Sequence, residues 1–277
     1  MFRPARQLLR LGLSLASSAG RASVLLLGLP LVLTLLAGRA EARSAFVLSP
    51  PPALEAIPAG TYDDRGRRLG DAALFWEKLE DGTIHMRAVT RVEGGARNTI
   101  DTWYEEVDAG RALRALREES LSYDDEGNRM VLVRVDHEQR RASCTPPPGS
   151  DRAVETLELA PDDRVANTTM SLLFQPLIRG DVERIEFQAF LCRGGARLMG
   201  FVALPGPRSA DGQVVEVRFG PNLGRVASWF ASVVVPKLRF WFAADGGEYL
   251  AHRMPLYGGG PEVVVSREGV SAGFSQR

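Results

Sequence analysis

Apolar residues recur at every second position in most of the runs between residues 60 and 267, and short polar turns separate those runs. A sheet with one packed face and one hydrated face produces this alternation. Ile84, Met86, Ala88 and Thr90 share one face after an Asp81-Gly82 turn. Val131, Val133 and Val135 form a second stripe, opposed by Leu132, Arg134 and Asp136. Ile185, Phe187, Ala189 and Leu191 form a third, opposed by Arg184, Glu186, Gln188 and Phe190. Leu198, Gly200 and Val202 continue the pattern after Gly194-Gly195, as do Val215, Val217 and Phe219 after Asp211-Gly212. Residues 72–80, 99–105, 237–242, 249–254 and 262–267 read as further strands.

Helix is scarce. Residues 110–119 and 167–178 are the two predicted segments, the second interrupted by Pro176. Residues 43–59, with Pro50, Pro51, Pro52 and Pro58, read as an extended lead-in, because proline withholds the donor that helices and central strands use. The predicted fold is mainly β: a curved antiparallel sheet or half-barrel over residues 60–277, covered by one or two short helices. The proline-rich run at 146–151 reads as a long loop inside that single domain. Tyr62-Asp63-Asp64-Arg65-Gly66 is echoed by Tyr123-Asp124-Asp125-Glu126-Gly127, and both read as hairpin turns with a glycine at positive φ.

A different pattern precedes the strands. The first 23 residues carry Arg3, Arg6, Arg10 and Arg21 and no acid, and residues 24–37 are uncharged and mostly apolar. Ala40-Glu41-Ala42 then places small residues at the two positions a signal peptidase reads. Residues 1–42 are expected to be a secretory signal peptide, cleaved on export to the periplasm or the medium. An arginine-rich transit peptide and a retained anchor are the alternatives, although the uncharged run is shorter than the roughly 20 residues a bilayer span needs. Once cleaved, the mature chain is expected not to span the membrane.

Charge narrows the partners. The chain has 34 basic and 34 acidic side chains, of which 29 and 33 lie beyond the leader. That slightly acidic balance lacks the concentrated positive charge of a nucleic-acid binder. Export also gives meaning to Cys144 and Cys192, the only two cysteines. Oxidised pairs persist outside the cytoplasm. A bridge here closes a loop of about 49 residues, worth roughly 4 kcal/mol in the chain-entropy account. Free thiols are the alternative, and no CxxC supports a redox role.

No local motif announces catalysis. His85, His137 and His252 stand apart, outside HxH, HExxH or HxxxH spacing. His85 is placed on the solvated face of its strand, His137 in a turn and His252 near a strand end. GxSxG, SxxK, P-loop and dinucleotide fingerprints are absent. Acid pairs such as Glu118-Glu119 read as solvated strand or turn residues. No catalytic residue, metal or cofactor is assigned. An unrecognised hydrolase stays open as an alternative that requires a histidine to meet a carboxylate in a cleft.

The apolar surplus lies late in the chain. Trp229-Phe230, Val233-Val234-Val235 and Phe240-Trp241-Phe242 put bulky groups on both faces of short segments. One face then covers the core, and the other meets a helix, another sheet or an apolar ligand. Leu172, Leu173, Phe174, Leu177 and Ile178 form the expected helical cover. Phe174, Trp229, Phe240 and Trp241 are the candidate ligand-contacting residues, with plain core packing as the competing reading.

Several segments carry a family resemblance: Gly60-Thr61-Tyr62, the turn-rich strands around 72–91, SLLFQPLIRG at 171–180 and LRFWFAADGGEYLAHRMP at 238–255. Together they resemble bacterial envelope proteins of the domain of unknown function 3108 family. That resemblance implies a curved half-barrel similar to lipoprotein carriers and non-catalytic binding of an apolar or lipid-like ligand. A lipid, a lipoprotein or an envelope protein is the implied partner, and no site residues come with it. A β-rich interaction or scaffolding module without a cavity is the alternative.

Overall fold

The computed structural model describes residues 46–222, 238–257 and 259–270. Among them are fifteen strands and two short helices. The first half holds β1 (Val47–Leu48), β2 (Ala56–Tyr62), β3 (Arg68–Lys78), β4 (Ile84–Arg91), β5 (Arg97–Val107), β6 (Ala112–Tyr123), β7 (Arg129–Asp136), β8 (Arg141–Thr145) and β9 (Glu155–Glu158). Helices α1 (Met170–Leu173) and α2 (Gln175–Arg179) follow. The second half holds β10 (Ile185–Leu191), β11 (Arg197–Arg208), β12 (Val214–Pro221), β13 (Leu238–Ala243), β14 (Tyr249–Pro255) and β15 (Glu262–Arg267).

The strands pair antiparallel in one curved, unclosed sheet whose order runs from β10 to β15, then from β2 to β9. Two consecutive meanders are therefore joined side by side, through Val264 opposite Tyr62 and Arg267 opposite Ala59. Strand β1 adds to the first residues of β6, beyond the point where β7 has ended. Turn chemistry fixes the hairpins. Asp63 Oδ1 accepts the N–H groups of Arg65 and Arg67 at 3.0 and 2.8 Å, and Asp124 Oδ1 accepts those of Glu126 and Asn128 at the same distances. Gly66 and Gly127 sit at φ 79° and 80°, so the sequence repeat is one turn used twice.

Two expectations are corrected. Residues 110–119 are not helical: they open β6, which pairs with β5 along its length and with β7 over its second half. Alanine, leucine and arginine favour helix there, but two neighbouring strands supply the ladders and bury Leu113 and Ala115. The proline-containing lead-in also enters the sheet centre, since β2 lies between β15 and β3. Pro58 is tolerated because Glu268 N–H donates to its carbonyl at 2.9 Å, so its missing donor faces β15 at the point where that ladder runs out.

The inner face collects the main core. Ile84 and Met86, Phe187 and Ala189, Val215 to Phe219 at alternate positions, and Phe240 and Phe242 all bury there. Helices α1 and α2 pack onto this face. Pro176 falls in the first turn of α2, where no intrahelical donor is needed, and Gly180 ends α2 in the left-handed conformation at φ 78°. Phe174, between the helices, is fully buried with its ring centroid 6.2, 5.4 and 5.5 Å from those of Phe187, Phe219 and Phe240.

The two ends of the sheet order, β9 and β10, share no ladder. Phe190, on the face of β10 opposite Phe187, instead packs with Val135, Ala142 and Cys144 of β7 and β8. The backbone groups of β10 are satisfied by the segment that precedes α1. Gln188 N–H donates to Arg164 O at 2.7 Å, Ala166 N–H donates to Gln188 O at 2.9 Å, and Asn167 exchanges two 2.8 Å bonds with the Phe190 backbone. Cys144 and Cys192 form a disulfide across the same seam. A buried sheet edge without such partners would leave a row of unpaired polar groups.

Candidate functional site

The plug of α1 and α2 does not cover the whole inner face. Beside α1, between β2–β5 and β13–β15, lies a cleft of about 130 Å3. Met86, Ala88, Ile100, Met170, Phe240 and Met254 supply apolar wall. Alternation places them: Met86 and Ala88 are two apart on β4, and Ile100 lies opposite Ala88 on β5. Tyr249 and His252 are the polar couple at this wall, with Tyr249 Oη and His252 Nδ1 sharing a hydrogen bond at 2.7 Å. The His252 ring also stacks on Phe240, centroids 5.2 Å apart.

Burial decides the electrostatics. It pushes His252 down to about 4 and raises the Tyr249 phenol far above its usual range. Both groups are therefore neutral at ordinary pH. The cleft is an uncharged, mainly apolar recess, with Thr90, Asn98, Asn167, Thr168 and Ser171 on its wall beside this couple, which suits holding a group more than transforming one.

Of the candidate ligand-contacting residues, Phe240 lines this cleft. Phe174 stands 5.5 Å from Phe240 but fills the centre of the core. Trp241 is 2% exposed and alternates to the opposite face of β13 from Phe240. Trp229 and the leader fall outside the described residues.

Sequence reasoning missed a buried polar cluster behind the plug. Glu118, read as a solvated acid, is 1% exposed on β6. Its Oε1 meets His137 Nε2 at 2.8 Å, and its Oε2 accepts Asn167 N–H at 2.8 Å, Thr168 N–H at 2.5 Å and Thr168 Oγ1 at 2.7 Å. Burial opposes the charge on Glu118, but the bond and charge of His137 with the Thr168 bonds outweigh it and hold the carboxyl below the usual glutamate range. The pair anchors the backbone just ahead of α1. Nothing local signals it, because the partners His137, Asn167 and Thr168 lie 19, 49 and 50 residues away in sequence.

His85 does lie on the outer face, yet it is 8% exposed. Glu77 Oε1 and Asp101 Oδ1 flank its two ring nitrogens at 2.9 and 2.8 Å, and Trp103 stacks on it. Two histidines thus meet carboxylates. No histidine is hydrogen-bonded to a serine, threonine or cysteine among the described residues, and both cysteines are bridged. Among those residues no group of His, Cys, Asp and Glu is gathered to hold a metal, and no helix is long and apolar enough to cross a membrane.

No family model matches the chain, that of the domain of unknown function 3108 included, and no curated protein matches it. Among solved structures it is similar to the crystal structure of a beta-barrel-like protein of domain of unknown function DUF1849 from Brucella abortus. The identity is 10% and the TM-score 0.39, over 78% of this chain and 97% of that one.

Proposed function

We propose that this is an exported, non-catalytic binding protein whose cleft beside α1 takes a small apolar group from a lipid-like ligand or an envelope component. The cleft itself carries the reading: an uncharged, mainly apolar recess that the chain's own plug leaves unfilled. Size restricts the guest. An apolar cavity of about 150 Å3 accepts benzene, whereas whole ligands occupy pockets of roughly 300–1,000 Å3. A ring or the end of an acyl chain fits; a complete lipid tail does not. Met86, Met170 and Met254 give the wall the adaptability that unbranched thioethers provide. Export is supported by the leader and by the disulfide, a bond that persists in oxidising compartments.

Calorimetric titration with n-octanol tests this. The wild-type protein is expected to bind saturably, and Ala88→Leu, which extends into the cleft while keeping an apolar wall, is expected to lose binding and retain its melting temperature. Non-saturable heats in the wild type would refute it. A second reading, an interaction module with no ligand, is favoured by the complete burial of Phe174 in the aromatic cluster. It predicts that negative result.

A further inference from the structure

The outer face of β4–β7 is organised in rows that run across the strands. In the first, His85, Trp103, Arg117 and Asp136 stand opposite one another, with the Arg117 guanidinium 3.9 Å above the Trp103 ring. The second is Arg87, Asp101, Glu119 and Arg134. It is internally neutral: Arg87 Nε lies 2.7 Å from Asp101 and Arg134 Nε 2.8 Å from Glu119. The third, Val89, Thr99, Leu121 and Leu132, carries no charge.

The fourth row is different. Arg91 stands opposite Arg97, Arg97 opposite Tyr123, and Tyr123 opposite Arg129, which donates to the Pro146 carbonyl at 3.1 Å. Neither Arg91 nor Arg97 takes an acid among the described residues. Asp71 on the neighbouring β3 is bonded to Arg68 instead, at 2.7 Å. Like charges directly opposed on a sheet repel. The arginines of the first and second rows, Arg87, Arg117 and Arg134, each have a carboxylate, so the Arg91–Arg97 pair stands apart from them. Arg97 is held in place by its guanidinium lying 3.7 Å over the Tyr123 ring. The second to fourth rows together line a cleft of about 400 Å3, a volume within the range of small-molecule sites.

We propose that this outer cleft binds a phosphate monoester with a short apolar or aromatic body. The two guanidiniums match a group carrying about two negative charges, and their forked donors fit its oxygens. Adjacent rows are separated by about 7 Å along the strands, so the body of such a ligand lies over Val89, Leu121 and Leu132. This site faces away from the cleft beside α1 and does not depend on it.

Phenyl phosphate is the probe, titrated into the full mature chain at low salt and followed by the backbone amide resonances of Thr99, Leu121 and Tyr123. Saturable shifts are expected, with affinity falling at least tenfold in Arg91→Gln and in Arg97→Gln and further as salt is raised. Both side chains are exposed, so both variants should keep the wild-type melting temperature. Inorganic phosphate should bind at least tenfold more weakly, and phenol should leave these amides unmoved. Ala88→Leu should bind phenyl phosphate normally, which separates this site from the inner cleft. Unchanged affinity in both arginine variants, equal binding of phenol, or binding only to phosphatidylglycerol vesicles would overturn the proposal.

Discussion

Cys144 is bonded to Cys192 across the gap where the two ends of the sheet order fail to pair. The bridge ties β8 to the residue following β10, alongside the Arg164–Gln188 backbone bond and the bonds of the Asn167 side-chain amide to the Phe190 backbone. A covalent link thus stands where a closed barrel would have a ladder.

Replacing both cysteines with serine is expected to lower stability by about 4 kcal/mol, the entropy of the loop they close. Urea unfolding measures the loss. Hydrogen exchange should accelerate first at Ala166 and Gln188, whose amides bond across the seam beside the bridge.

Glu118→Gln should cost about 1–3 kcal/mol, because an amide has one accepting oxygen where the carboxylate uses two, and a buried donor of Asn167, Thr168 or His137 is left unpaired. The sign of its pH dependence is fixed. The folded carboxyl titrates below its ordinary 4.5. Its stabilisation is therefore complete above that value and lost as pH falls through the lower folded value. Melting temperature against pH should show this acid limb in the wild type and not in Glu118→Gln.

His252 acts in a separate window. Its folded value of about 4 lies below its ordinary 6.5, so the unfolded chain takes up the proton first. Stability should fall between pH 6.5 and 4 by up to about 3 kcal/mol and then level off for this group. His252→Gln should flatten that interval and leave the Glu118 limb in place, as read by urea titrations at pH 7, 5.5 and 4.

Gly70 is required by close approach and not by its φ. A Cβ there would stand 2.2 Å from the Arg91 carbonyl oxygen on β4. Gly70→Ala should therefore cost about 1–3 kcal/mol, the usual range for overpacking, measurable by thermal denaturation. Because it displaces the backbone of Arg91, it should also weaken phenyl phosphate binding.

Much of the fold is legible in alternation. The stripes at 84–90, 185–191 and 215–219 face the core because each strand needs only local period two to sort its sides. The stripe at 198–202 is the instructive exception: Phe201 pairs with Phe187, so Met199, Phe201 and Ala203 take the main core and Leu198 turns to the seam cluster with Phe190. Both faces of β10 and β11 are packed there, and periodicity alone does not choose between two buried sides. The Asp63 and Asp124 turns were legible from composition, and the cysteine pairing from the leader. The Glu118–His137 anchor and the Arg91–Arg97 row were not, since each depends on register between strands. Phe240 reached the inner cleft through its alternation on β13, but Tyr249 and His252 joined it only through the β13–β14 pairing.

The most direct test of the inner cleft is the carbon-13 methyl spectrum of methionine-labelled protein titrated with n-octanol. Met86, Met170 and Met254 line the cleft, while Met130 and Met199 do not and serve as internal references. Saturable shifts confined to the three cleft methyls are the expected result, and they should vanish in Ala88→Leu. Methyl resonances that stay fixed throughout the titration, or that move equally at Met130, would contradict a binding function for this cleft.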